Sequence, residues 1–219
     1  VAFTDTEEMD PNCPNGKIIM RRWIARDICG NDSIAVQLIT VQDTTKPTFT
    51  RPADITIECD EMADVITTGD VNNAFDNCGL LSIEFLDEIE PGACSNESTI
   101  SRTWTVTDMC GNERSSVQII TIEDTTPPSF EAPSDLTIDC EIDVLDLLLT
   151  GSVSNVNDNC GILDTAYTDL VINLAGCASN DSIVRTWTIT DLCGNATELI
   201  QSITVQDTTK PSFTVPADI

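Results

Sequence analysis

Cysteine and aspartate are the residue types in this chain whose number and spacing could do chemistry. The sequence of 219 residues contains 10 cysteines and 37 acidic side chains but no histidine. A large, even set of cysteines at regular intervals is typical of disulfides formed outside the cytoplasm. A zinc site is disfavoured because the sequence has neither a CxxC pair nor a histidine ligand. The carboxylates offer the hard oxygen ligands that Ca²⁺ prefers.

The charge balance excludes several classes of function. With 10 basic and 37 acidic residues the formal net charge is −27 and the isoelectric point is about 4.1. Such a surface repels nucleic acid and anionic lipid, because phosphate backbones require a basic footprint. The absence of histidine removes the commonest general base near neutral pH. We therefore expect a protein that is not an enzyme and has no nucleic-acid partner.

Hydrophobic patterning adds two expectations about membranes and export. No stretch approaches the ~20 consecutive apolar residues of a membrane span, so no membrane insertion is expected. Residues 1–10 lack the basic start and apolar core of a signal peptide. An exported protein needs such a signal, so we expect this chain to be a mature or excised piece of a longer polypeptide.

An internal repeat organises the chain. Trp23, Trp104 and Trp187 lie 81 and 83 residues apart, and each begins a stretch that ends in Asp-x-Cys-Gly-Asn. Pro-x-Phe and Pro-x-Asp-(Ile/Leu)-Thr-Ile-x-Cys segments open the complete copies. The predicted organisation is the C-terminal half of a repeat at 1–44, complete repeats at 45–125 and 126–208, and the first strand of a further repeat at 209–219. Arrays of this kind are quasi-one-dimensional.

Short strands dominate the predicted secondary structure of each repeat. Residues 99–108 alternate with a period of two, which places Ile100, Arg102, Trp104 and Val106 on one face. The Cys-Gly-Asn turn that follows leads into a return strand at 116–123, so the two segments form a hairpin. Several such strands in about 80 residues predict an all-β fold of tandem antiparallel β-sandwiches.

These motifs resemble a known family. The series Pro-Ala-Asp-Ile-Thr-Ile, Asp-Asn-Cys-Gly, Thr-x-Thr-Asp-x-Cys-Gly-Asn and Asp-Thr-Thr-x-Pro is similar to the hyalin-repeat group of immunoglobulin-like domains. It is most similar to versions strung in tandem in giant surface proteins of gliding and filament-forming Gram-negative bacteria. The resemblance implies an immunoglobulin-like, disulfide-stapled sandwich, an extracellular adhesive role and export by a type IX-like pathway.

Immunoglobulin strand order leads to a prediction of the disulfides. Cys94 and Cys110 flank an extended strand of roughly 35 Å, whereas bonded cysteines lie within about 7 Å, so these two should occupy opposite ends of the sandwich. The predicted pairs are Cys59–Cys94, Cys78–Cys110, Cys140–Cys177 and Cys160–Cys193. Cys13 and Cys29 are then expected to find partners outside this half-repeat or in a neighbouring chain.

Recurrent acidic residues at one end of each complete repeat suit either a calcium site or turn chemistry. The two predicted sets are Asp43, Asp76, Asp108 and Asn112, and Asp124, Asp158, Asp191 and Asn195. Six to eight oxygens from such residues suit Ca²⁺. Turn chemistry explains the same residues equally well, because Asp and Asn before Gly often close Asx turns. The sequence leaves these two interpretations open.

Repetition of every polar motif favours a structural function. The leading hypothesis is a segment of a long extracellular fibre, a cell-surface adhesin or filament for attachment, gliding or capture of other cells. Its expected partners are other copies of itself, as side-by-side or domain-exchanged homo-oligomers. The alternative is a ligand-binding module whose variable loops, such as 89–94 and 173–177, recognise a glycan or a protein.

Overall fold

A computed structural model describes residues 1–173 and 181–215 of the chain. Within these ranges the secondary structure is almost entirely β, and no helix is long and apolar enough to cross a membrane. The first ten strands are β1 (Ala2–Met9), β2 (Lys17–Arg26), β3 (Asp32–Val41), β4 (Thr48–Thr50), β5 (Ile55–Glu58), β6 (Asn72–Phe75), β7 (Leu80–Pro91), β8 (Ser98–Asp108), β9 (Glu113–Glu123) and β10 (Ser129–Glu131). The others are β11 (Leu136–Asp139), β12 (Ser154–Asn157), β13 (Ile162–Asn173), β14 (Asp181–Asp191) and β15 (Ala196–Gln206), with short helices α1 (Val65–Thr68) and α2 (Leu147–Thr150). The predicted all-β class is confirmed.

The chain divides into two compact units that interleave along the sequence. The first contains Val1–Ile57, Glu61–Glu90 and Ser98–Ile122, and the second contains Glu58–Asp60, Pro91–Glu97 and Glu123–Ile219. Two short segments of the repeat at 45–125 therefore pack with the unit that contains the following repeat. These segments carry Cys59 and Cys94.

The first unit contains three sheets. Strands β1, β2 and β3 form an antiparallel sheet with β2 in the middle. Strands β4 and β6 pair with each other, while a four-stranded sheet has the order β5-β9-β8-β7. The predicted hairpin of residues 99–108 and 116–123 is confirmed as β8 and β9, whose register pairs Trp104 with Ser116.

The second unit repeats this arrangement. Strands β10 and β12 pair, and the four-stranded sheet has the order β11-β15-β14-β13. Strand β11 runs parallel to β15, whereas β13, β14 and β15 are antiparallel to their neighbours. This parallel edge strand departs from the antiparallel sheet that the hairpin pattern predicts.

Alternation in β8 and β14 sets the position of the core. Every second residue of each strand is buried. Ile100 packs with Ile57 and Ile120 in the first unit, and an equivalent isoleucine cluster fills the second. Because strand side chains alternate between faces, the sequence pattern determines which side chains lie on the face that the rest of the repeat covers.

Each short helix begins at an aspartate and ends at a glycine. The Asp64 side chain accepts hydrogen bonds from the backbone N–H groups of Ile66 and Thr67, which caps α1. The helix ends at Gly69, whose φ is 89°. The equivalent α2 lies between Asp146 and Gly151. The sequence of residues 62–66 and 142–149 is compatible with a brief helix, one loose turn or a strand edge, and the two helices overlap these stretches.

Candidate metal sites and the disulfides between repeats

The described part of the chain contains three disulfides, and each joins cysteines of two successive repeats. The bonds are Cys13–Cys110, Cys59–Cys160 and Cys94–Cys193, with sequence separations of 97, 101 and 99 residues. Their Cα–Cα distances of 4.3, 6.1 and 5.1 Å lie near or within the usual range for bonded cysteines. Each bond lies inside one compact unit.

This bonding corrects the predicted pairs Cys59–Cys94, Cys78–Cys110 and Cys160–Cys193. The prediction assumed that a repeat closes on itself, but the segments carrying Cys59 and Cys94 pack with the following repeat and bond there. Cys13, expected to need an outside partner, bonds to Cys110.

The other cysteine predictions concern Cys29, Cys78 and the pair Cys140–Cys177. Cys29 is exposed and Cys78 half-buried, and neither has a disulfide partner among the described residues. The predicted pair Cys140–Cys177 lies outside the described ranges, because Cys177 does.

Two asparagine side chains form hydrogen bonds with the backbone of cysteines in the following repeat. The Asn15 side-chain Nδ2 donates to the backbone oxygen of Cys78 at 3.0 Å. Asn96 makes the equivalent hydrogen bond to the backbone oxygen of Cys160. Sequence reasoning overlooked both residues, although Cys-x-Asn at 13–15 and 94–96 is a visible signal. Asn96 therefore fixes the backbone beside Cys160, which is bonded to Cys59 of the preceding repeat, and Asn15 fixes the backbone beside Cys78 in the same way.

Asp108 and Asp191 close the turns that follow β8 and β14. Asp108 accepts hydrogen bonds from the backbone N–H groups of Cys110 and Asn112 and from the Asn112 side chain, all at 2.8 Å. Asp191 has the equivalent three donors, including the Asn195 side chain at 2.8 Å. Burial alone would raise the pKa of both carboxyls, but these hydrogen bonds lower each pKa below its ordinary value. The turn interpretation therefore accounts for Asp108 and Asp191.

Asn112 and Asn195 also hold the chain that enters each repeat. The Asn112 Nδ2 group donates to the backbone oxygen of Asp43 at 3.2 Å, and Asn195 does the same to Asp124 at 2.9 Å. Their side-chain nitrogens thus position the acidic residues, and the amide oxygens are the atoms of Asn112 and Asn195 that could ligate a metal. These contacts bring Asp43 and Asp124 to the turns.

Asp43 and Asp76 each have a carboxylate oxygen without a donor. One oxygen of Asp43 accepts from the Thr45 backbone at 2.9 Å, and one of Asp76 accepts from the Cys78 backbone at 2.7 Å. The second oxygen of each is buried and has no hydrogen-bond partner among the described residues. Carboxylate oxygens of Asp43 lie within 4.8 Å of oxygens from Asp76 and Asp108. The structure therefore brings the first predicted aspartate set together.

The second set leaves more oxygens unsatisfied. Asp124 is 5% exposed, and neither of its carboxylate oxygens makes a hydrogen bond of good geometry within the described chain. One oxygen of Asp158 and the side-chain oxygen of Asn159 are also buried without a donor. Burial and the negative charges of Asp191 and Asp158 raise the pKa of Asp124. Unpaired buried carboxylates are costly, so such a group of oxygens needs a proton or a cation.

A known family matches the first complete repeat. Residues 47–122 match the sequence profile described as HYR-like domain with 4 cysteines. This segment is a HYR-like domain. The match covers Cys59, Cys78, Cys94 and Cys110, and it confirms the family that the sequence motifs resemble. Together with the disulfides, it indicates an extracellular, adhesion-type module.

Solved cadherin structures share only a loose likeness with the chain. The first four extracellular domains of protocadherin gamma B7 match with 11% identity and a TM-score of 0.36, over 94% of this chain and 66% of that one. Drosophila N-cadherin EC1-4 matches with 14% identity and a TM-score of 0.27, over 91% and 60%. The human desmocollin-1 ectodomain matches with 14% identity and a TM-score of 0.29, over 94% and 50%.

The chain thus spans at most about two thirds of the length of these three structures. The likeness is too loose to support a shared function. No curated protein sequence matches the chain.

The donor set of the HYR-like domain and its successor fits a hard cation. All the unsatisfied side-chain atoms at these two places are oxygens. The neighbouring sulfur atoms of Cys59, Cys160 and Cys110 are in disulfides, so they are not thiolate ligands for a soft metal. Burial raises the pKa of the remaining thiol, Cys78, which disfavours its thiolate form. Asp76 and Asp124 are more than nine-tenths buried, which makes their missing donors expensive. Calcium, with six to eight oxygens, would satisfy such a set.

Proposed function

We propose that this chain is a segment of an extracellular adhesive fibre whose successive HYR-like repeats are joined covalently. The observation that carries the proposal is that each described disulfide bonds one repeat to the next. A protein that only needed a stable domain would be served by bonds within each repeat. Bonds between repeats resist separation of the repeats under tension, which is the demand on a fibre.

The setting we propose is a bacterial cell surface, reached by a type IX-like pathway. The fibre would serve attachment, gliding or capture of other cells. Similarity of the repeat motifs to tandem surface proteins of gliding bacteria supports this setting. Side-by-side association of several copies is part of the proposal, and analytical ultracentrifugation of the purified chain tests it.

Immunogold electron microscopy of intact cells tests the fibre. An antibody raised against this chain is expected to label extended surface filaments on unpermeabilised cells. A matched antibody against a cytoplasmic protein of the same cells should label only after permeabilisation. Label confined to the cell interior, or to compact particles, would contradict the proposal.

A recognition role for the tip loops has less support. The loop at 92–97 carries Cys94, which is bonded to Cys193, and it is closed by a backbone hydrogen bond from Gly92 to Glu97 at 2.8 Å. A loop fixed at its centre in this way acts as a joint between repeats. We therefore place glycan or protein recognition second.

We also propose that each complete repeat binds Ca²⁺ at the end that receives the preceding repeat. The ligands would be Asp43 and Asp76 at the entrance of the first complete repeat and Asp124, Asp158 and Asn159 at the entrance of the second, with Asp108 and Asp191 adding negative charge from the turns. The buried oxygens without donors support this assignment. The bound ion would offset part of the net charge of −27.

Calorimetric titration and thermal unfolding test the calcium site. We expect Ca²⁺ to bind the parent chain and raise its melting temperature. Asp124→Asn should lose one binding event, yet without calcium it should melt above the parent, because it removes a buried unpaired charge. Asp164→Asn is a matched control, since Asp164 is exposed and, in the part of the chain that the structure describes, its side chain accepts a hydrogen bond only from the Thr165 backbone. The assignment is wrong if the parent neither releases heat nor changes its melting temperature.

A further inference from the structure

One face of the sheet formed by β1, β2 and β3 carries the same kinds of side chain that form the core of a complete repeat. In the described part of the chain, no opening segment covers this face. Trp23, Arg21 and Ile19 of β2 share this face with Gln37 and Ile39 of β3, according to the strand register. The Trp23 side-chain N–H donates to Gln37 at 3.1 Å, as Trp104 does to Gln118. The half-repeat therefore has the internal geometry of a complete repeat.

Burial differs sharply between the half-repeat and the complete repeats. Gln37 is exposed, whereas Gln118 and Gln201 are fully buried. Trp23 is half-buried, while its equivalent Trp104 is 2% exposed. In the complete repeats this face is covered by the segment that opens the repeat. Ile57 of β5, for example, packs on Ile100 and Ile120.

Polar donors on the open face lack the acceptors that their counterparts have. The Gln118 side-chain nitrogen donates to the backbone oxygens of Ala53 and Thr68 at 2.9 and 2.7 Å. The same nitrogen of Gln37 donates to none of the described residues. Arg102 bonds Thr68 and the Ala63 oxygen as well as Asp87. Within the described ranges, the Arg21 side chain forms hydrogen bonds with Asp5 alone. The missing acceptors all belong to an opening segment.

We propose that this face binds the opening half of another HYR-like repeat, a segment with the chemistry of residues 45–77, and that its cysteine forms a disulfide with Cys78. The junction one repeat later shows the arrangement. There, Asn96 bonds the Cys160 backbone and Cys160 is bonded to Cys59. Asn15 already bonds the Cys78 backbone in the same way, and Cys13 is already bonded to Cys110. Compared with Cys160, Cys78 lacks a disulfide partner equivalent to Cys59 among the described residues.

Disulfide formation at Cys78 requires an oxidant. The two thiols lose two protons and two electrons when their sulfur atoms bond. A disulfide such as oxidised glutathione accepts the electrons and the protons and becomes two thiols. This inference rests on the repeat architecture and not on adhesion, so it can stand even if surface labelling fails.

A synthetic peptide of residues 45–77, which contains Cys59 as its single cysteine, tests the proposal on the intact chain. In a glutathione redox buffer we expect a mixed disulfide between the peptide and Cys78, found by peptide mapping, together with a blue shift of Trp23 fluorescence. Cys29 is an internal control, because it is exposed and an untemplated reaction would favour it over the half-buried Cys78. Linkage mainly at Cys29, or equal linkage with a scrambled peptide, would overturn the proposal.

Two neighbouring substitutions separate the two faces of the sheet. Ile39→Asp lies on the face that carries Gln37 and should lower the yield at Cys78 at least tenfold. Leu38→Asp lies on the opposite face, where Leu38 is 65% exposed, and should leave the yield unchanged.

A fusion with residues 45–82 placed before Val1 gives a second measurement that does not depend on how Ile39→Asp folds. In the fusion, the added copy of Cys59 should be bonded to the original Cys78. A free thiol at Cys78 in the fusion, or dimers of the parent chain that block the face, would refute the assigned occupant.

Discussion

A single buried arginine in each complete repeat ties its segments together. Arg185 is fully buried and forms two hydrogen bonds with Asp169, each at 2.8 Å. It also donates to the Thr150 hydroxyl and to the Val144 backbone oxygen, at 3.0 and 2.9 Å. Its guanidinium carbon lies 4.3 Å from the centre of the Tyr167 ring. Because a planar guanidinium can donate in several directions at once, no other side chain could replace it.

We expect Arg185→Ala to destabilise its repeat by about 3–5 kcal/mol, since it leaves the carboxylate of Asp169 without its partner. Native-state hydrogen exchange of the β14 amides measures this loss. Arg21→Ala is a matched control in the half-repeat. Arg21 forms the same bidentate pair with Asp5, but both side chains are more than a quarter exposed, so the loss at β2 should be much smaller. Equal losses at the two sites would show that burial does not set the strength of the pair.

The position of these arginines was predictable from the sequence, but their partners were not. Strand alternation places Arg102 and Arg185 on the core face, beside Trp104 and Trp187. The carboxylate acceptors, Asp87 and Asp169, lie on the neighbouring strands β7 and β13, whereas the other acceptors come from α1, α2 and the residues before them, more than 30 positions away. A periodic pattern reports which face a residue occupies, whereas long-range partners depend on how the segments pack.

At the scale of elements, a glycine lets each short helix approach the opening segment of its repeat. Gly151 ends α2 with φ 91° and ψ 165°, a conformation that only glycine adopts readily. A Cβ atom at this position would lie 2.8 Å from Pro133 Cβ. Gly69 occupies the same place in the preceding repeat, where the built Cβ lies 3.1 Å from Pro52. The close approach keeps Thr150 and Thr68 in position for their arginines.

Gly151→Ala should therefore destabilise the second unit by about 2–4 kcal/mol, through backbone strain and the clash with Pro133. Gly194→Ala provides the comparison, because Gly194 has φ +95° but a Cβ there would meet nothing within 4 Å. That variant should lose only the strain component, about 1–2 kcal/mol. Thermal unfolding of the oxidised proteins measures both changes. A melting temperature for Gly151→Ala equal to that of Gly194→Ala would mean that the contact with Pro133 relaxes at no cost.

For the whole molecule, the sequence could not distinguish bonds within repeats from bonds between them. The predicted loops close about 35 residues and the observed ones 97 to 101. Loop-closure entropy grows only logarithmically, so the two schemes differ by about 1 kcal/mol per bond. The segments that carry Cys59 and Cys94 pack with the next repeat, and this packing determines which cysteines form disulfides. The turn aspartates Asp108 and Asp191 were predictable because a local motif fixes each of them, whereas Asp43 and Asp124 reach the same turns through hydrogen bonds from Asn112 and Asn195, about 70 positions away.

The observed bonds shorten the covalent path through the chain, and this sets how far it can be stretched. The shortest path runs from the amino terminus to Cys13, across to Cys110, back to Cys94, across to Cys193 and on to the carboxyl terminus, roughly 54 residues of backbone. At about 3.6 Å per residue this path extends to about 200 Å, compared with about 800 Å for the whole chain of 219 residues.

Single-molecule force spectroscopy should therefore find that the oxidised chain extends by no more than about 200 Å before its linkages fail. Added reductant should raise this limit about fourfold, because every residue then bears the load. Cys29→Ser is a control, since Cys29 has no disulfide partner among the described residues and the limit should not change. Cys94→Ser removes the backward step of the path, so the limit should rise to about 400 Å. An oxidised limit near 500 Å, which bonds within repeats would give, would contradict the bonding between repeats.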